Sequence, residues 1–174
     1  MSAMIIGALA GSGKSSFFKA ATLKGYRVLD LDSVLYSHFI DYQGNKIDNP
    51  FFLENYKNAI ERNIEIYDFI LIGTHKELRD MLRENNIQYI LIYPKISLMN
   101  EYLLRYIHRG DSNRFISSIM DNWDDYIVQM MSDSYPQKIV LGPGQFIVDV
   151  IQLDKKGENN NGTIYNNVWS YKRI

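Results

Sequence analysis

The stretch that decides the fold is Gly7-Ala8-Leu9-Ala10-Gly11-Ser12-Gly13-Lys14-Ser15-Ser16. It follows the apolar run Met4-Ile5-Ile6 and precedes a segment with helical periodicity that starts at Ser15. From Ala8 onward its residues fit the Walker A spacing A/G-x-x-x-x-G-K-S/T, with alanine in place of the usual first glycine. A strand, a glycine-rich loop and a helix in this order predict a phosphate-binding loop, and the alternative is an ordinary tight turn between a strand and a helix.

The residue types in this stretch suit the chemistry of phosphate. Gly11 and Gly13 let the backbone curl so that consecutive N–H groups point at phosphate oxygens, and the N-terminus of the following helix adds the positive end of its dipole. We predict that Lys14 reaches the β- and γ-phosphates and that the hydroxyl of Ser15 ligates Mg²⁺. The residues predicted to contact the triphosphate are Ala10, Gly11, Ser12, Gly13, Lys14, Ser15 and Ser16.

Composition narrows the class of protein. The chain has 174 residues with 46% hydrophobic and 22% charged side chains, which suits one ordinary globular domain. Its formal net charge of −1 disfavours a broad nucleic-acid surface, and the lack of cysteine excludes disulfides and thiolate metal sites. We find no signal peptide and no apolar run of membrane-spanning length, so we expect a cytoplasmic protein without a membrane partner.

Strand-like and helix-like segments alternate along the chain. We predict strands over 3–8, 26–32, 67–73, 87–93 and 138–141, and helices over 15–24, 34–40, 51–65, 76–84, 96–107, 115–131 and 145–153. This alternation predicts an α/β fold with a mainly parallel sheet covered by helices on both faces. The polar segment 154–162 is predicted to be a loop, and 163–174 to be a short strand or hairpin.

The predicted sheet directs attention to the carboxyl ends of its strands, where ligands collect. The second strand ends in Asp30-Leu31-Asp32, and residues two apart in a strand share a face. We predict that one carboxylate supports the metal and that the other accepts the proton of an attacking hydroxyl. The alternative is that Asp32 or Ser33 caps the next helix.

Two further strand ends carry polar side chains. His75 and Arg79 follow the third strand, and we predict that they face the acceptor substrate; for His75 a capping or surface role is an equal alternative. After the fifth strand, Gly142-Pro143-Gly144 predicts a tight turn that approaches a planar base, or a purely structural turn.

Arginines follow the fourth strand. Arg105 and Arg109 are four residues apart, hence on one helical face, and we predict that they close over the transferred phosphoryl group. A solvated basic face, or pairing of Arg105 with Glu101, is the alternative, and Arg114 is a weaker third candidate. We predict a lid region over 105–122.

These motifs together resemble small P-loop kinases of the nucleoside monophosphate kinase, shikimate kinase and polynucleotide kinase group. The similarity is greatest to the bacteriophage-encoded ATP-binding proteins often labelled adenylate kinase-like. It covers residues 3–153 and implies a three-layer P-loop fold with strand order 2-3-1-4-5. It also implies a kinase domain over 1–153, Mg²⁺ held by Ser15 and Asp30, catalysis by Lys14, Asp32, Arg105 and Arg109, and an adenine-side loop at Gly142 and Pro143.

The expected activity is transfer of the γ-phosphate of Mg-ATP to a nucleoside, a nucleotide or a related small acceptor. Segment 33–65 is predicted to bind this acceptor, and its aromatic residues are candidates for stacking on a base: Tyr36, Phe39, Tyr42 and Phe51. The alternatives are a kinase that acts on a hydroxyl of a nucleic acid and a nucleotide-dependent switch or binding protein. The sequence does not identify the oligomeric state.

Overall fold

The computed structural model describes residues 2–31 and 33–154. Asp32 and residues 155–174 lie outside this range, so the prediction of a strand or hairpin over 163–174 concerns residues outside the described ones. Among the described residues, no helix combines the length and the apolar character that a membrane span requires.

The described chain alternates strands and helices. The strands are β1 Met4–Ala8, β2 Val28–Asp30, β3 His38–Ile40, β4 Lys46–Asp48, β5 Phe69–Ile72, β6 Ile90–Pro94 and β7 Gln137–Leu141. The helices are α1 Lys14–Leu23, α2 Val34–Ser37, α3 Phe52–Asn63, α4 Lys76–Glu84, α5 Met99–Arg109, α6 Asn113–Asp121, α7 Trp123–Ser132 and α8 Ile147–Val150. A 3₁₀ turn, Ile96–Leu98, precedes α5.

Five strands form one sheet in the order β2-β5-β1-β6-β7, and every neighbouring pair is parallel. The predicted order was 2-3-1-4-5, counted over five strands. The numbering differs because β3 and β4, which we did not predict, intervene along the chain and pair with each other in a separate antiparallel hairpin. β1 lies at the centre of the five, so the loop that follows it emerges from the middle of the sheet.

Alternate residues of the central strands enter two separate cores. Ile5, Ile70 and Leu91 face one core, which is filled by residues of α3, α4, α5 and α7. Their neighbours Ile6 and Leu71 face the other, which contains residues of α1 and α8. Because strand side chains alternate between faces, apolar runs such as Phe69–Ile72 are buried on both sides. The result is an α/β arrangement with helices on both faces of a parallel sheet.

Two predicted helices differ in the structure. The segment predicted as one helix over 34–40 is α2 followed by β3, because the chain turns at Gly44 and the Asp41 carboxylate accepts hydrogen bonds from the N–H groups of Gln43 and Asn45. Both contacts close the hairpin and favour an extended β3.

The amphipathic segment 115–131 is two helices, α6 and α7, that meet at Asn122. Asparagine is a weak helix former, and the side chain of Asn122 bonds back to the Ser118 carbonyl. Helix α7 buries Trp123, Ile127 and Met130, whereas α6 has no fully buried residue.

Candidate functional site

A cleft of about 780 Å³ lies at the carboxyl ends of β1, β2 and β5. The loop between β1 and α1 forms its floor, and the last turns of α5 form one wall. It is lined by Leu9, Ala10, Gly11, Gly13, Lys14, Ser15, Ser16, Asp30, Leu31, Ser33, Gly73, Arg105, His108, Arg109, Asp111, Phe115 and Phe146. Twelve of these seventeen residues come from the loop, the acidic strand end or the arginine helix that the sequence singles out: Leu9, Ala10, Gly11, Gly13, Lys14, Ser15, Ser16, Asp30, Leu31, Arg105, His108 and Arg109.

All six carbonyl groups of the loop, from Ala8 to Gly13, accept hydrogen bonds from the protein. Their donors, in chain order, are Lys14 Nζ, the Ser12 N–H, the Tyr106 hydroxyl, the Arg105 guanidinium, the Ile147 N–H and the Phe17 N–H. Within the described part of the chain, no acceptor is found for the backbone N–H groups of Ala10, Gly11, Gly13, Ser15 and Ser16. The loop therefore turns its acceptors into the protein and keeps donors for a ligand.

Two glycines give the loop its curvature. Gly11 and Gly13 have φ angles of 82° and 92°, which L side chains rarely adopt. A Cβ on Gly11 would lie 2.9 Å from the ring of Tyr106, and one on Gly13 would lie 3.0 Å from the ring of Phe146. Both the backbone angle and the packing require glycine at these positions.

The N-terminus of α1 opens on the cleft. Gly13 occupies its N-cap position and has no side chain, so no side chain caps the first turn. Ser15 and Ser16 are exposed there, and Lys14 Nζ donates to the Ala8 carbonyl at 2.9 Å. An uncapped helix N-terminus with an adjacent lysine attracts an anion.

The acidic strand end is described only in part. Asp30 is the last residue of β2, is exposed, and lines the cleft with Ser15. Asp32, the predicted base, lies outside the described residues. Within residues 2–31 and 33–154, no three or more histidine or acidic side chains cluster as a metal site. The described groups that fit a magnesium ion bound with phosphate oxygens are therefore the Ser15 hydroxyl and the Asp30 carboxylate, because Mg²⁺ uses few protein ligands beside phosphates and water.

Arg105 is held firmly by its surroundings. Its guanidinium donates to the carbonyls of Gly11 and Gln145, both at 2.9 Å, and pairs with Glu101. It also stacks on the rings of Tyr102 and Phe146, with its Cζ 4.6 Å and 3.9 Å from the ring centroids. Three hydrogen bonds already join the Arg105 guanidinium to the protein, and the predicted alternative of pairing with Glu101 is observed; its contact with the phosphoryl group stays a prediction.

Arg109 lies one turn further along α5 and remains about half exposed. Its guanidinium pairs with Asp111 at 2.6 Å and lies 5.5 Å from the ring centroid of Tyr106. It lines the cleft together with His108 and Phe115, so the predicted common face of Arg105 and Arg109 does border the cleft. Arg114, the weaker candidate, is exposed at the start of α6 and is not a lining residue.

The structure does not bring Arg79 to the cleft. Its side chain is 5% exposed, pairs with the buried carboxylate of Asp133, and donates to the Thr74 carbonyl. This buried pair joins α4 to the end of α7, so Arg79 is a structural residue and its predicted contact with the acceptor is corrected. His75 is exposed at the N-cap of α4 and lies 3.4 Å from the hydroxyl of Ser33, a lining residue, so it borders the cleft without lining it.

The turn after β7 contributes through the residue that follows it. Gly142 and Pro143 are not lining residues; the Gly142 N–H bonds to the Gln145 side chain, and the Gly144 N–H bonds to Glu101. Phe146, which we did not predict, covers Gly13 and lines the cleft. An aromatic residue shortly after a glycine turn is a weak signal, since most such residues enter the core.

Two buried tyrosines that we also did not predict hold the loop. The hydroxyl of Tyr106 donates to the Ala10 carbonyl, and that of Tyr102 shares a hydrogen bond with the Ser12 hydroxyl. Burial raises the pKa of both tyrosines above the ordinary value, so both hydroxyls keep their protons at neutral pH. In the sequence, the spacing of the two tyrosines on α5 indicates core packing. Their hydrogen bonds to the loop become evident only in the three-dimensional structure.

A second cavity, of about 460 Å³, lies between α3 and the β3–β4 hairpin within the segment predicted to bind the acceptor. We call it the hairpin pocket. It is lined by Leu35, Tyr36, His38, Phe39, Asn49, Asn55, Asn58, Ala59, Arg62 and Asn63. Two of the predicted stacking residues, Tyr36 and Phe39, are among them, whereas Tyr42 and Phe51 are exposed and do not line it.

The hairpin pocket and the cleft lie at the two ends of α2. Ser33 lines the cleft, while Leu35 and Tyr36 line the pocket. At 1.5 Å of rise per helical residue, the two positions from Ser33 to Leu35 separate the nearest lining residues by roughly 3 Å along the helix axis. The two cavities share no lining residue.

Comparison with known proteins gives no relative from which to transfer a role. No family model matches the chain, and no curated protein matches it. The functional conclusion therefore depends on the geometry of the cleft.

Proposed function

We propose that this protein is a phosphotransferase that moves the γ-phosphate of Mg-ATP to a hydroxyl of a small acceptor of the nucleoside or nucleotide class. The observation that carries the proposal is the arrangement of the loop after β1. Six carbonyls bond to the protein and leave N–H groups of Ala10, Gly11 and Gly13 for a ligand. A surface rich in backbone donors beside a lysine and a helix N-terminus suits a polyphosphate.

The proposed roles of Lys14, Ser15, Asp30 and Arg109 follow from their positions in the cleft, and that of Asp32 follows from the sequence alone. In the proposed reaction the acceptor oxygen forms a bond to the γ-phosphorus, the bond from that phosphorus to the bridging oxygen of the diphosphate breaks, and ADP leaves. Asp32 accepts the proton of the acceptor hydroxyl, while Lys14 and Arg109 stabilise the negative charge of the phosphoryl group. Ser15 and Asp30 are the residues that would hold a magnesium ion, which would neutralise charge at the phosphate oxygens.

The hairpin pocket supports an acceptor with a planar, hydrogen-bonding group. Asn55, Asn58 and Arg62 lie on one face of α3, and the aromatic residues Tyr36 and Phe39 line the opposite wall. In the described structure the side chains of these three α3 residues have no hydrogen-bonding partner. Amides and an aromatic wall suit a base, and the guanidinium suits a phosphate or another anion.

The test is to measure Mg-ATP binding by calorimetry and then to screen nucleosides and nucleotides in an ADP-coupled assay. We expect micromolar to millimolar binding and turnover with at least one acceptor. Lys14→Ala is expected to lower kcat/KM by at least 10³-fold. Lys19→Ala, an exposed lysine on the same helix, is the matched control and should leave the rate unchanged.

Three other outcomes would contradict the proposal, each in a distinct way. Absence of ATP binding removes the nucleotide site altogether. ATP binding without transfer to any acceptor indicates a nucleotide-dependent switch or binding protein. Phosphate transfer to oligonucleotides alone, with binding that weakens steeply with salt, places the acceptor hydroxyl on a nucleic acid.

A further inference from the structure

Helix α5 forms hydrogen bonds with three successive residues of the loop. The Tyr106 hydroxyl donates to the Ala10 carbonyl at 2.9 Å, and Arg105 donates to the Gly11 carbonyl at 2.9 Å. The Tyr102 hydroxyl lies 3.0 Å from the Ser12 hydroxyl. Positions 102, 105 and 106 are three and four residues apart, so one helical face supplies all three contacts.

These contacts lie in a buried, close-packed interface between α5 and the loop. Tyr102 and Tyr106 are fully buried, and the Arg105 side chain is 12% exposed. A Cβ at Gly11 would meet the Tyr106 ring at 2.9 Å and the Tyr102 ring at 3.2 Å, so these rings press directly on the loop backbone. Buried hydrogen bonds of this kind are costly to leave unmade, because the orphaned group cannot turn to water.

Because a peptide group is planar, these contacts with α5 also fix the direction in which a backbone N–H of the loop points. In a trans peptide the carbonyl of one residue and the N–H of the next point in opposite directions. The hydrogen bond from Tyr106 to the Ala10 carbonyl therefore aims the Gly11 N–H away from α5. Gly11 lines the cleft and its N–H has no acceptor among the described residues. Rotation of this peptide would turn the carbonyl oxygen toward the place where phosphate is proposed to bind.

We propose that Tyr106 is a positioning residue that orients the Gly11 N–H toward phosphate, with Tyr102 and Arg105 holding the adjoining residues of the loop. This inference rests on the proposed nucleotide site, and it does not require that phosphate be transferred. It gives α5 a role in shaping the loop, in addition to the contact with the phosphoryl group that the sequence predicts for its arginines.

The test compares three probes with the full chain: Mg-ATP, inorganic tripolyphosphate with Mg²⁺, and adenosine. For Tyr106→Phe we expect the dissociation constants of ATP and tripolyphosphate to rise about tenfold, which corresponds to one misaligned hydrogen bond, while that of adenosine stays unchanged. If Tyr106 had only a structural role, Tyr106→Phe would leave the dissociation constants of all three probes unchanged for the folded protein, or would weaken adenosine binding as well.

Tyr89→Phe is the matched control. Tyr89 is also buried and also has a raised pKa because of burial, but it lies at the amino end of β6, whereas the cleft lies at the carboxyl ends of β1, β2 and β5. Its substitution should leave the affinities for all three probes unchanged. If Tyr106→Phe does not fold, as judged by circular dichroism, Tyr102→Phe provides the test, with an expected loss of about threefold for the two phosphate probes.

The outcomes separate this inference from the proposed function. If the native chain binds ATP and tripolyphosphate but Tyr106→Phe binds them equally well, the positioning role is wrong and the nucleotide site stands. If the expected selective loss occurs and no acceptor is phosphorylated, the positioning role stands and the phosphotransferase proposal is wrong. If the native chain binds neither phosphate probe, both are overturned.

Discussion

The cleft and the hairpin pocket are built in different ways. The loop at the floor of the cleft is fixed by hydrogen bonds from buried side chains of α5, and two of its glycines have no room for a side chain. The hairpin pocket is lined by the three-residue strand β3 and by apolar side chains that remain exposed, such as Leu35 at 75% and Phe39 at 48%. A rigid floor suits a group with one geometry, such as a polyphosphate. A pocket lined by exposed side chains suits a ligand to which those side chains adjust on binding.

Among the substitutions that test this difference between the two cavities, the largest expected effect is on the rate of phosphate transfer. Asp32→Asn removes the proposed proton acceptor, and we expect kcat to fall by about 10² to 10⁴ with little change in ATP affinity. Calorimetry and the coupled assay measure the two quantities separately. Asp121→Asn, an exposed residue at the end of α6, is the control. A near-normal rate for Asp32→Asn would remove this residue from the mechanism.

A smaller effect is expected in the hairpin pocket. Arg62→Ala removes the cationic group that lines it, so we expect KM for the acceptor to rise about tenfold while KM for ATP and kcat stay unchanged. Arg83→Ala on α4 is the matched control, because Arg83 is about half exposed, pairs with Asp80 and lines neither cavity. An equal change in KM for ATP would show that the two cavities do not act separately.

The smallest effect concerns the turn that closes the hairpin. Hydrogen bonds, first from the side chain of Asn45 and then from backbone N–H groups, hold the pKa of Asp41 below its ordinary value. Because the folded pKa is lowered, the stabilisation is present above the unfolded pKa and is lost as pH falls through the folded value. Asn45→Ala should raise the pKa of Asp41 toward the ordinary value, as measured by NMR titration of its carboxyl carbon.

Gln43→Ala is the control for this titration, because Gln43 bonds to Asp41 through its backbone N–H and the substitution keeps that donor. An unchanged pKa in Asn45→Ala would mean that the amide side chain does not hold the turn.

The sequence predicts the sheet well for a physical reason. Runs such as Ile90–Pro94 are buried on both faces, so their apolar character is continuous and strands are expected from it. The hairpin was missed because β3 and β4 are exposed, three-residue strands, and such segments have little burial to set a pattern. Asn122 interrupts a periodic apolar pattern that continues across it, which is why one helix was predicted where two are found.

The candidate site was predictable where the chemistry is local. The loop residues, Asp30 and Arg109 follow from motif spacing and from the rule for strand ends, and the structure brings them to one cleft, except for Ser12, which is buried against Tyr102. Arg79 was misassigned because its buried partner, Asp133, is 54 residues away along the chain. Tyr106 and Phe146 were missed because an aromatic residue in a helix or after a turn looks like core in any sequence. Their contacts with the loop depend on tertiary packing.

The floor of the cleft is attached to both outer layers of the molecule. Tyr106 reaches it from the core that contains α5, and the Ile147 N–H, from α8 on the other face of the sheet, donates to the Ser12 carbonyl at 3.0 Å. A partly assembled chain that lacked either layer would have an unconstrained loop, and the proposed phosphate site would be incomplete. The affinity for a ligand at this loop should therefore depend on whether both helical layers are assembled. Bound triphosphate should slow the opening of the helices on both faces of the sheet together.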